Sequence, residues 1–485
     1  MGHLTTSPAA SAVVIGAGPV GLAAASHLVE RGITPIVLEK GDGPAAAVRA
    51  WGHVRLFSPW KFDIDTAART LLDRHGWNEP APDAHPTGAE LAEEYLVPLA
   101  GLPEIKEHLH YGAEVVAVTR QGLDKTRTLR RENAPYLVRA RVEGRYEDFT
   151  ADAVIDASGN WGHSNPLGTG GLAVPGEETA ADHLVGPLPD VTGADRERYA
   201  GRHTLVVGAG HSAANTLLSL VELAQTAPGT EVSWAIRSSN AARVYGGGED
   251  DALPERGRLG TRLKEAVESG KVKLHKRFRI STLAGDDGGV RVEATSLGKP
   301  VELRVDWIAA ATGFRPDLDL LREVRLSLDP AVEAPEKLGP LIDPNFHSCG
   351  TVPPHGEREL AHPDENLYIA GMKSYGRAPT FLLATGYEQV RSIAAALAGD
   401  RESADSVELE LPETGVCSSG LLEGSDEGVS GDCGSSCDTS GGESATREDG
   451  PVARGLSTGV LHGRSGDDVR EPVAVIEEKG GGCCG

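Results

Sequence analysis

A glycine-rich turn near the start of the chain, Gly16-Ala-Gly-Pro-Val-Gly21, has the spacing of a site that binds the pyrophosphate of a dinucleotide. Gly16 permits a tight turn, Gly18 lets the backbone approach the phosphates, and Gly21 lets the next helix pack on the sheet. An apolar strand over residues 12–15 precedes the turn, and a helical run follows it. The positive end of that helix would face the phosphates, so the pattern predicts a dinucleotide site.

An acidic residue completes this unit. The apolar strand over residues 35–38 ends in Glu39, 18 residues after Gly21. That spacing is close to the one expected of an acid that binds a ribose hydroxyl, and it suits FAD. The alternative is a plain βαβ unit that binds no ligand. Pro19 and Lys40 are predicted to belong to the same site.

A second glycine turn, Gly208-Ala-Gly-His-Ser-Ala213, follows the strand 202–207. The next strand, 231–236, ends in Arg237 where the first unit has an acid. An arginine there accommodates a 2′-phosphate, so this unit is predicted to bind NADPH. The alternative is that Arg237 is a solvated strand end. The predicted NADPH-binding residues are Gly208, Gly210, His211, Ser212 and Arg237.

The two units differ in the residue expected at the ribose, Glu39 in the first and Arg237 in the second. Together they predict a flavoprotein that is reduced by a nicotinamide nucleotide. Three later segments, 152–159, 306–313 and 366–372, read as strands that end in small residues, and 381–398 reads as a helix. A late strand and helix returning to the first unit would split the FAD-binding domain around the NADPH-binding domain. The predicted fold class is therefore α/β, with two Rossmann-like domains. Further cofactor-binding residues are predicted at these strand ends: Gly159, Thr312, Gly313, Gly371 and Met372.

The composition separates the end of the chain from the rest. The net charge is −24, and residues 400–485 hold 19 acidic and 6 basic residues but no aromatic one. Such a segment cannot bury enough apolar surface to order itself, so we predict a disordered tail. The expected segments are 1–190 (FAD-binding, first part), 191–330 (NADPH-binding), 331–400 (FAD-binding, second part) and 401–485 (tail).

The charge balance also excludes some classes of partner. An acidic chain lacks the basic face that nucleic acid requires, and nothing favours binding to an anionic membrane. No secretory signal and no apolar run of about 20 residues is visible. We therefore expect a cytoplasmic protein, and a homodimer is compatible with the sequence.

Over residues 11–400 the chain resembles the two-dinucleotide-binding flavoproteins, and within them the flavin-containing monooxygenases. Both glycine turns and Ala311-Thr-Gly313, followed by Phe314-Arg-Pro-Asp317, carry this resemblance. It departs from them in two ways: the usual monooxygenase fingerprint is faint over 183–201, and the Cys-x4-Cys and Cys-x2-Cys pairs of disulfide reductases are missing. More narrowly, the chain resembles the flavin monooxygenases of bacterial arsenic-resistance operons, in segments 56–60, 86–88, 347–352 and 371–381.

The resemblance implies oxidation of a soft nucleophile by O2 and NADPH, with arsenite or antimonite as the substrate. It places Ser58, Trp60 and Lys61 near the flavin, and we expect Cys349 to act with them. Thiolates bind trivalent metalloids, so a capture or delivery role is predicted for some of the cysteines. These are Cys349, Cys417, Cys483 and Cys484.

Other interpretations stay open. The same flavin chemistry would N-hydroxylate an amine such as lysine or ornithine. The terminal thiol pair resembles that of mercuric reductase, which favours a thiol-assisted metal reductase. A non-enzymatic metal-binding or redox-sensing protein is a third class. Zinc binding by Cys433 and Cys437 lacks a second ligand pair.

Overall fold

A computed structural model describes residues 9–246, 254–345, 352–379 and 381–409, all within one compact unit, Met1–Glu423. Within the described ranges, the strands form two five-stranded parallel sheets and two three-stranded antiparallel sheets. The strands are β1 (Ser11–Ile15), β2 (Thr34–Leu38), β3 (Leu109–His110), β4 (Ala113–Arg120), β5 (Tyr136–Val142), β6 (Arg145–Ala151), β7 (Ala153–Asp156), β8 (Leu184–Val185), β9 (His203–Val207), β10 (Glu231–Ala235), β11 (Lys273–His275), β12 (Arg279–Asp286), β13 (Gly289–Ser296), β14 (Lys299–Val305), β15 (Trp307–Ala310) and β16 (Leu367–Ile369).

The first parallel sheet has the order β16-β7-β1-β2-β3. Its central strands, β1 and β7, are buried almost throughout, as expected for a parallel sheet that is covered on both faces. The last strand of the described residues, β16, pairs in parallel with β7. The chain thus returns to its first sheet after building the second, which confirms the predicted split α/β fold.

The second parallel sheet has the order β11-β10-β9-β15-β8. Its first strand in the chain, Leu184–Val185, pairs with β15 and lies ahead of residue 191, where the sequence predicts the second domain to begin. Trp234 of β10 is fully buried, and its indole N–H donates to Gly208 O over 2.7 Å. This hydrogen bond fixes the second glycine turn against the neighbouring strand.

Helices cover both parallel sheets. Small residues on α1, such as Ala23, Ala24 and Ala25, are fully buried and let this helix pack closely in the core that it shares with α13. The α-helices are α1 (Pro19–Glu30), α2 (Ala46–Arg49), α3 (Thr66–Arg74), α4 (Gly88–Glu90), α5 (Val97–Gly101), α6 (Pro103–Lys106), α7 (Arg196–Tyr199), α8 (His211–Thr226), α9 (Ala242–Tyr245), α10 (Pro254–Glu268), α11 (Gly339–Ile342), α12 (Glu357–Leu360), α13 (Leu383–Leu397) and α14 (Arg401–Asp405).

Short helical segments of other kinds connect these elements. A π-helical segment, Leu91–Leu96, joins α4 to α5. Among the described residues, no helix combines the length and the apolar character that a membrane span requires. The 3₁₀ segments are Trp60–Phe62, Arg131–Asn133, Thr169–Gly171, Ala181–His183, Asp319–Leu321 and Gly371–Tyr375.

Each antiparallel sheet is inserted in the chain between two strands of one parallel sheet. The strands β4, β5 and β6 lie between β3 and β7, and β12, β13 and β14 lie between β11 and β15. These two sheets are not predicted from the sequence. Their exposed strands, such as Arg145–Ala151, carry mostly polar residues and so give little hydrophobic signal.

Candidate functional site

The carboxyl ends of four strands of the first sheet lie side by side. The first glycine turn follows β1, Glu39 follows β2, Ala157 follows β7, and Gly371 follows β16. Because β1 connects to β2 on one side and pairs with β7 on the other, the strand order reverses between β1 and β7. Ligands of open α/β sheets bind at such reversal points, so this edge is the first candidate site.

The glycines of the first turn are of two kinds: at closed positions a side chain would clash with backbone, and at open positions it would meet empty space. A side chain at Gly16 would meet Ala157 O at 2.9 Å, and one at Gly21 would meet Gly16 O at 2.0 Å. A side chain at Gly18 would meet nothing within 4 Å. Gly18 also caps α1 without a side-chain hydrogen bond, so the N–H groups in the first turn of α1, after Pro19, are free to donate to a phosphate. The turn has the form that a pyrophosphate requires.

The acid predicted to bind the ribose lies against the same turn. Glu39 accepts hydrogen bonds from the N–H groups of Ala17 and Gly41, both over 2.7 Å. The structure thus brings Glu39 to the first glycine turn. Lys40 does not join it: its side chain is 76% exposed, and its ammonium lies 2.7 Å from Glu114 Oε1.

The second sheet repeats this arrangement at the reversal between β9 and β15. A side chain at Gly208 would meet Ala311 O at 2.0 Å, whereas one at Gly210 would meet nothing within 4 Å. Gly210 caps α8, which begins at His211 and Ser212, without a side-chain hydrogen bond. Arg237 is exposed two residues after the end of β10. The structure therefore presents a second helix start that is open to an anion, with an exposed cation after the adjacent strand.

A short connection joins the edges of the two sheets. After β7 and Gly159, the chain runs to Asn165, whose side-chain amide donates to Thr312 O over 3.2 Å and whose backbone N–H donates to Gly313 O over 2.8 Å. The Thr312 hydroxyl donates back to Asn165 O. These contacts bring the predicted residues Thr312 and Gly313 to the segment that follows Gly159.

The segment 56–63 makes a second connection. The Phe57 ring contacts the His211 ring edge-on, with centroids 5.1 Å apart, while Trp60 is buried in the core around α1. The Ser58 hydroxyl donates to Asp63 Oδ1 over 2.6 Å. All three predicted flavin neighbours thus lie on a segment that reaches both glycine-turn domains. The Lys61 side chain is exposed and pairs with Asp83.

A buried ion pair lies beside the first turn. The Lys373 ammonium is 2.6 Å from Asp156 Oδ2 and 3.0 Å from Ser158 Oγ, and neither charged side chain is exposed. Asp156 ends β7, and Lys373 follows β16 by way of Gly371 and Met372. The pair holds together two of the strand ends that form the candidate site, and neither residue is among the site residues predicted from the sequence.

A polar network fixes the last strand end. Gln389 of α13 accepts from the Gly371 N–H over 2.8 Å, and its amide contacts His355 Nε2 at 2.9 Å. Asn160 donates to Met372 O over 3.3 Å. Burial lowers the pKa of His355. A neutral imidazole therefore supports the amide that holds Gly371.

The predicted thiol sites lie elsewhere in the chain. Cys349, Cys417, Cys483 and Cys484 fall outside the described residues, and none of the described residues is a cysteine. Across these described ranges, no group of three or more His, Asp or Glu side chains is arranged to hold a metal ion. The metalloid-binding role of the cysteines stays a prediction.

Comparison with protein families decides the class. The family described as pyridine nucleotide-disulphide oxidoreductase matches residues 13–345. The chain belongs to this family. Membership confirms the predictions of an enzyme of the oxidoreductase class, with FAD and a pyridine nucleotide as cofactors. The fit of both glycine turns to a pyrophosphate agrees with that assignment.

Individual relatives of the family are distant. Bacilliredoxin reductase Bdr of Bacillus subtilis (strain 168) is 23% identical over 325 residues, which are 66% of this chain and 81% of that protein. Bacillithiol disulfide reductase Bdr (YpdA) from Bacillus cereus has a TM-score of 0.60 at 20% identity, covering 80% of this chain and 98% of that one.

The same fold occurs in two amine-hydroxylating proteins. DfoA, the cadaverine monooxygenase of desferrioxamine biosynthesis in Erwinia amylovora, has a TM-score of 0.57 at 14% identity, covering 84% of this chain and 97% of that one. The ornithine N-hydroxylase KtzI from Kutzneria sp. 744 has a TM-score of 0.53 at 16% identity, covering 82% and 99%. Family membership and these neighbours fix the fold and leave the substrate open.

Proposed function

We propose that the protein is an NADPH-dependent flavin monooxygenase that oxidises a soft nucleophile, with arsenite and antimonite as its substrates. The observation that carries this proposal is the combination of two dinucleotide sites with a single cysteine, Cys349, before residue 410. A dithiol beside the flavin would relay electrons to a disulfide substrate, and one thiol cannot form it. Molecular oxygen is an acceptor that needs no such relay.

The residues of this chain would hold and orient the two cofactors. The open position at Gly18 and the uncapped start of α1 suit the pyrophosphate of FAD, and Glu39 lies beside them. Gly210 and the start of α8 suit the pyrophosphate of NADPH. When bound, FAD supplies hydride acceptance and the activation of O2. The two connecting segments, 56–63 and 160–165, would keep water out of the space between the cofactors.

The choice of substrate rests on ligand chemistry. A trivalent metalloid has a lone pair that accepts an oxygen atom, and it binds soft thiolates. Cys349 and the pair Cys483-Cys484 would supply these thiolates. Per turnover, one NADPH, one proton and one O2 convert arsenite to arsenate, with NADP⁺ and water as the other products.

Consumption of NADPH and O2 tests the proposal directly. We expect arsenite or antimonite to accelerate both, in a one-to-one ratio, with arsenate formed in the arsenite reaction. Cys349→Ser and a chain lacking Cys483 and Cys484 should raise the KM for arsenite. Lysine, ornithine and cadaverine should leave the rates unchanged. Acceleration by an amine, with no effect of arsenite, would instead establish N-hydroxylation.

A second function is favoured by the relatives. The curated relative and a neighbouring structure are named as reductases of bacilliredoxin and of bacillithiol disulfide. Such a reductase would oxidise NADPH without O2 when a low-molecular-weight disulfide is supplied. Anaerobic NADPH oxidation with the disulfide, and none with arsenite, would replace the monooxygenase proposal by this one.

Arg237 should determine the preference for NADPH. We expect Arg237→Ala to raise the KM for NADPH about tenfold or more and to leave the KM for NADH unchanged, because only NADPH has a 2′-phosphate to pair with the guanidinium. Arg291→Ala, at an exposed position of β13, is the matched control and should affect neither. Equal losses with both nucleotides would remove Arg237 from the 2′-phosphate site.

A further inference from the structure

Asp63 lies in the segment that reaches both nucleotide-binding domains. This segment touches α8 through Phe57 and the core around α1 through Trp60. Asp63 is 0% exposed, and the Tyr387 hydroxyl of α13 donates to its backbone carbonyl over 2.8 Å. The backbone of Asp63 is thus fixed to α13, at the end of the segment whose Phe57 reaches the second glycine turn.

The side chain of Asp63 has one hydrogen-bond partner. Oδ1 accepts from the Ser58 hydroxyl over 2.6 Å, and Oδ2 is buried without a partner among the described residues. The nearby Asp65 is different: it accepts from Ala68 N over 2.9 Å as the cap of α3, and it lies 2.9 Å from His27 Nε2. Asp65 has a structural role, whereas the Asp63 carboxyl group caps no helix and joins no ion pair of the described residues.

The groups that face Asp63 from neighbouring elements do not favour its charged form. Tyr387 from α13 and Tyr95 from the π-helical segment are both buried, and burial raises the pKa of each phenol well above its usual value. The Tyr95 hydroxyl accepts from the Asp65 N–H over 3.1 Å, and Asp65 pairs with His27. Within the described ranges, no lysine or arginine lies within ion-pair distance of the Asp63 carboxyl. Burial therefore raises the pKa of Asp63 to about 7, against a smaller opposing effect of the Ser58 hydrogen bond.

Ser58 connects the buried Asp63 carboxyl to a partly exposed position. Its side chain is only partly buried, and it is one residue from Phe57, which touches the second glycine turn. A hydroxyl can accept a proton and donate one at the same time. We propose that Asp63 stores the proton that accompanies each hydride from NADPH, and that Ser58 passes this proton toward the space between the two glycine turns.

The inference rests on the proposed use of NADPH and not on the identity of the substrate. NADPH gives up a hydride, with two electrons, and becomes NADP⁺. Reduction of O2 to H2O2 consumes that hydride and one further proton, and an oxygenation consumes the same proton in forming water. Asp63 releases this proton through Ser58 and recovers one from solvent.

Unfolding of the full-length holoprotein in urea is the first test, and it does not depend on activity. A carboxyl whose pKa is higher in the folded state contributes stability below its unfolded pKa and loses it as the pH rises through the folded pKa. We therefore expect the wild type to lose stability relative to Asp63→Asn as the pH rises from about 4 to about 7. The difference between their urea midpoints measures this loss. A difference that does not change with pH would overturn the inference.

NADPH-dependent O2 consumption without added substrate is the second test. The wild-type rate should decline as the pH rises through about 7, and Asp63→Asn should lower the rate at pH 6 about tenfold or more and remove the decline. Asp63→Glu should restore the dependence, and Asp73→Asn, exposed on α3, should match the wild type. An unchanged profile in Asp63→Asn would overturn the inference, whereas an absent effect of arsenite would overturn only the proposed function.

Discussion

Lys373→Met is expected to lower the free energy of unfolding by about 3–5 kcal/mol. The substitution removes the cation and leaves Asp156 charged, in a position where neither side chain is exposed. Removing one member of a buried pair is costly because the remaining charge keeps its desolvation penalty without its partner. Urea unfolding followed by circular dichroism measures the loss. Because the pair joins the ends of β7 and β16, FAD should also dissociate more readily.

Two controls separate charge from packing. The double variant Asp156→Asn with Lys373→Met removes both charges and should recover most of the lost stability. Arg139→Met breaks an ion pair with Asp148 whose two side chains are 46% and 40% exposed, and it should leave the urea midpoint unchanged. Equal losses in Lys373→Met and the double variant would mean that shape, and not the charge of Lys373, stabilises the site.

Gly208→Ala is expected to destabilise the protein by about 2 kcal/mol and to abolish measurable NADPH binding. The added methyl group would lie 2.0 Å from Ala311 O, and the φ of Gly208 is +142°. The clash is with the backbone carbonyl of Ala311, directly after the adjacent strand β15, so no side-chain rotation can relieve it. The turn must therefore move, and its N–H groups would shift away from the positions that suit a pyrophosphate. Thermal unfolding and NADPH titration measure the two effects.

Gly210→Ala is the matched control for that substitution. Its side chain would meet nothing within 4 Å, and its φ of −104° suits alanine. We expect an unchanged melting temperature with weaker NADPH binding, because the methyl group lies where the pyrophosphate would approach. A melting temperature that falls equally in both variants would contradict the division into closed and open glycines.

The parallel sheets could be predicted from sequence because their requirements are local. Each parallel sheet has an apolar strand followed by a closed and an open glycine. This combination is recognisable in the sequence as the short glycine pattern at 16–21 and again at 208–213. The position of Glu39 beside the first glycine turn follows from the same pattern. The antiparallel sheets could not be predicted, since strands with one exposed face, such as β6 and β14, mix charged and apolar residues without a strong period.

The buried polar groups of the site depend on contacts that sequence spacing does not reveal. Lys373 is buried because Asp156 lies opposite, 217 residues earlier in the chain. Asp63 and Asp65 look alike in sequence, yet only Asp65 finds a histidine and a helix start. A hint did exist at Asp156, a single acid at the end of an otherwise apolar strand. The cysteines could be selected by type, but their position depends on segments outside the described residues.

The close approach of Gly208 to Ala311 defines where the unit built on the second parallel sheet could be exchanged for that of another protein. The second sheet begins at Leu184, and the carbonyl of Ala311 closes the turn at Gly208. The next residue, Thr312, is instead fastened to Asn165 of the connecting segment. A transplanted unit should therefore replace residues 184–311 and keep Thr312, because a cut one residue earlier would pair a foreign glycine turn with a native carbonyl.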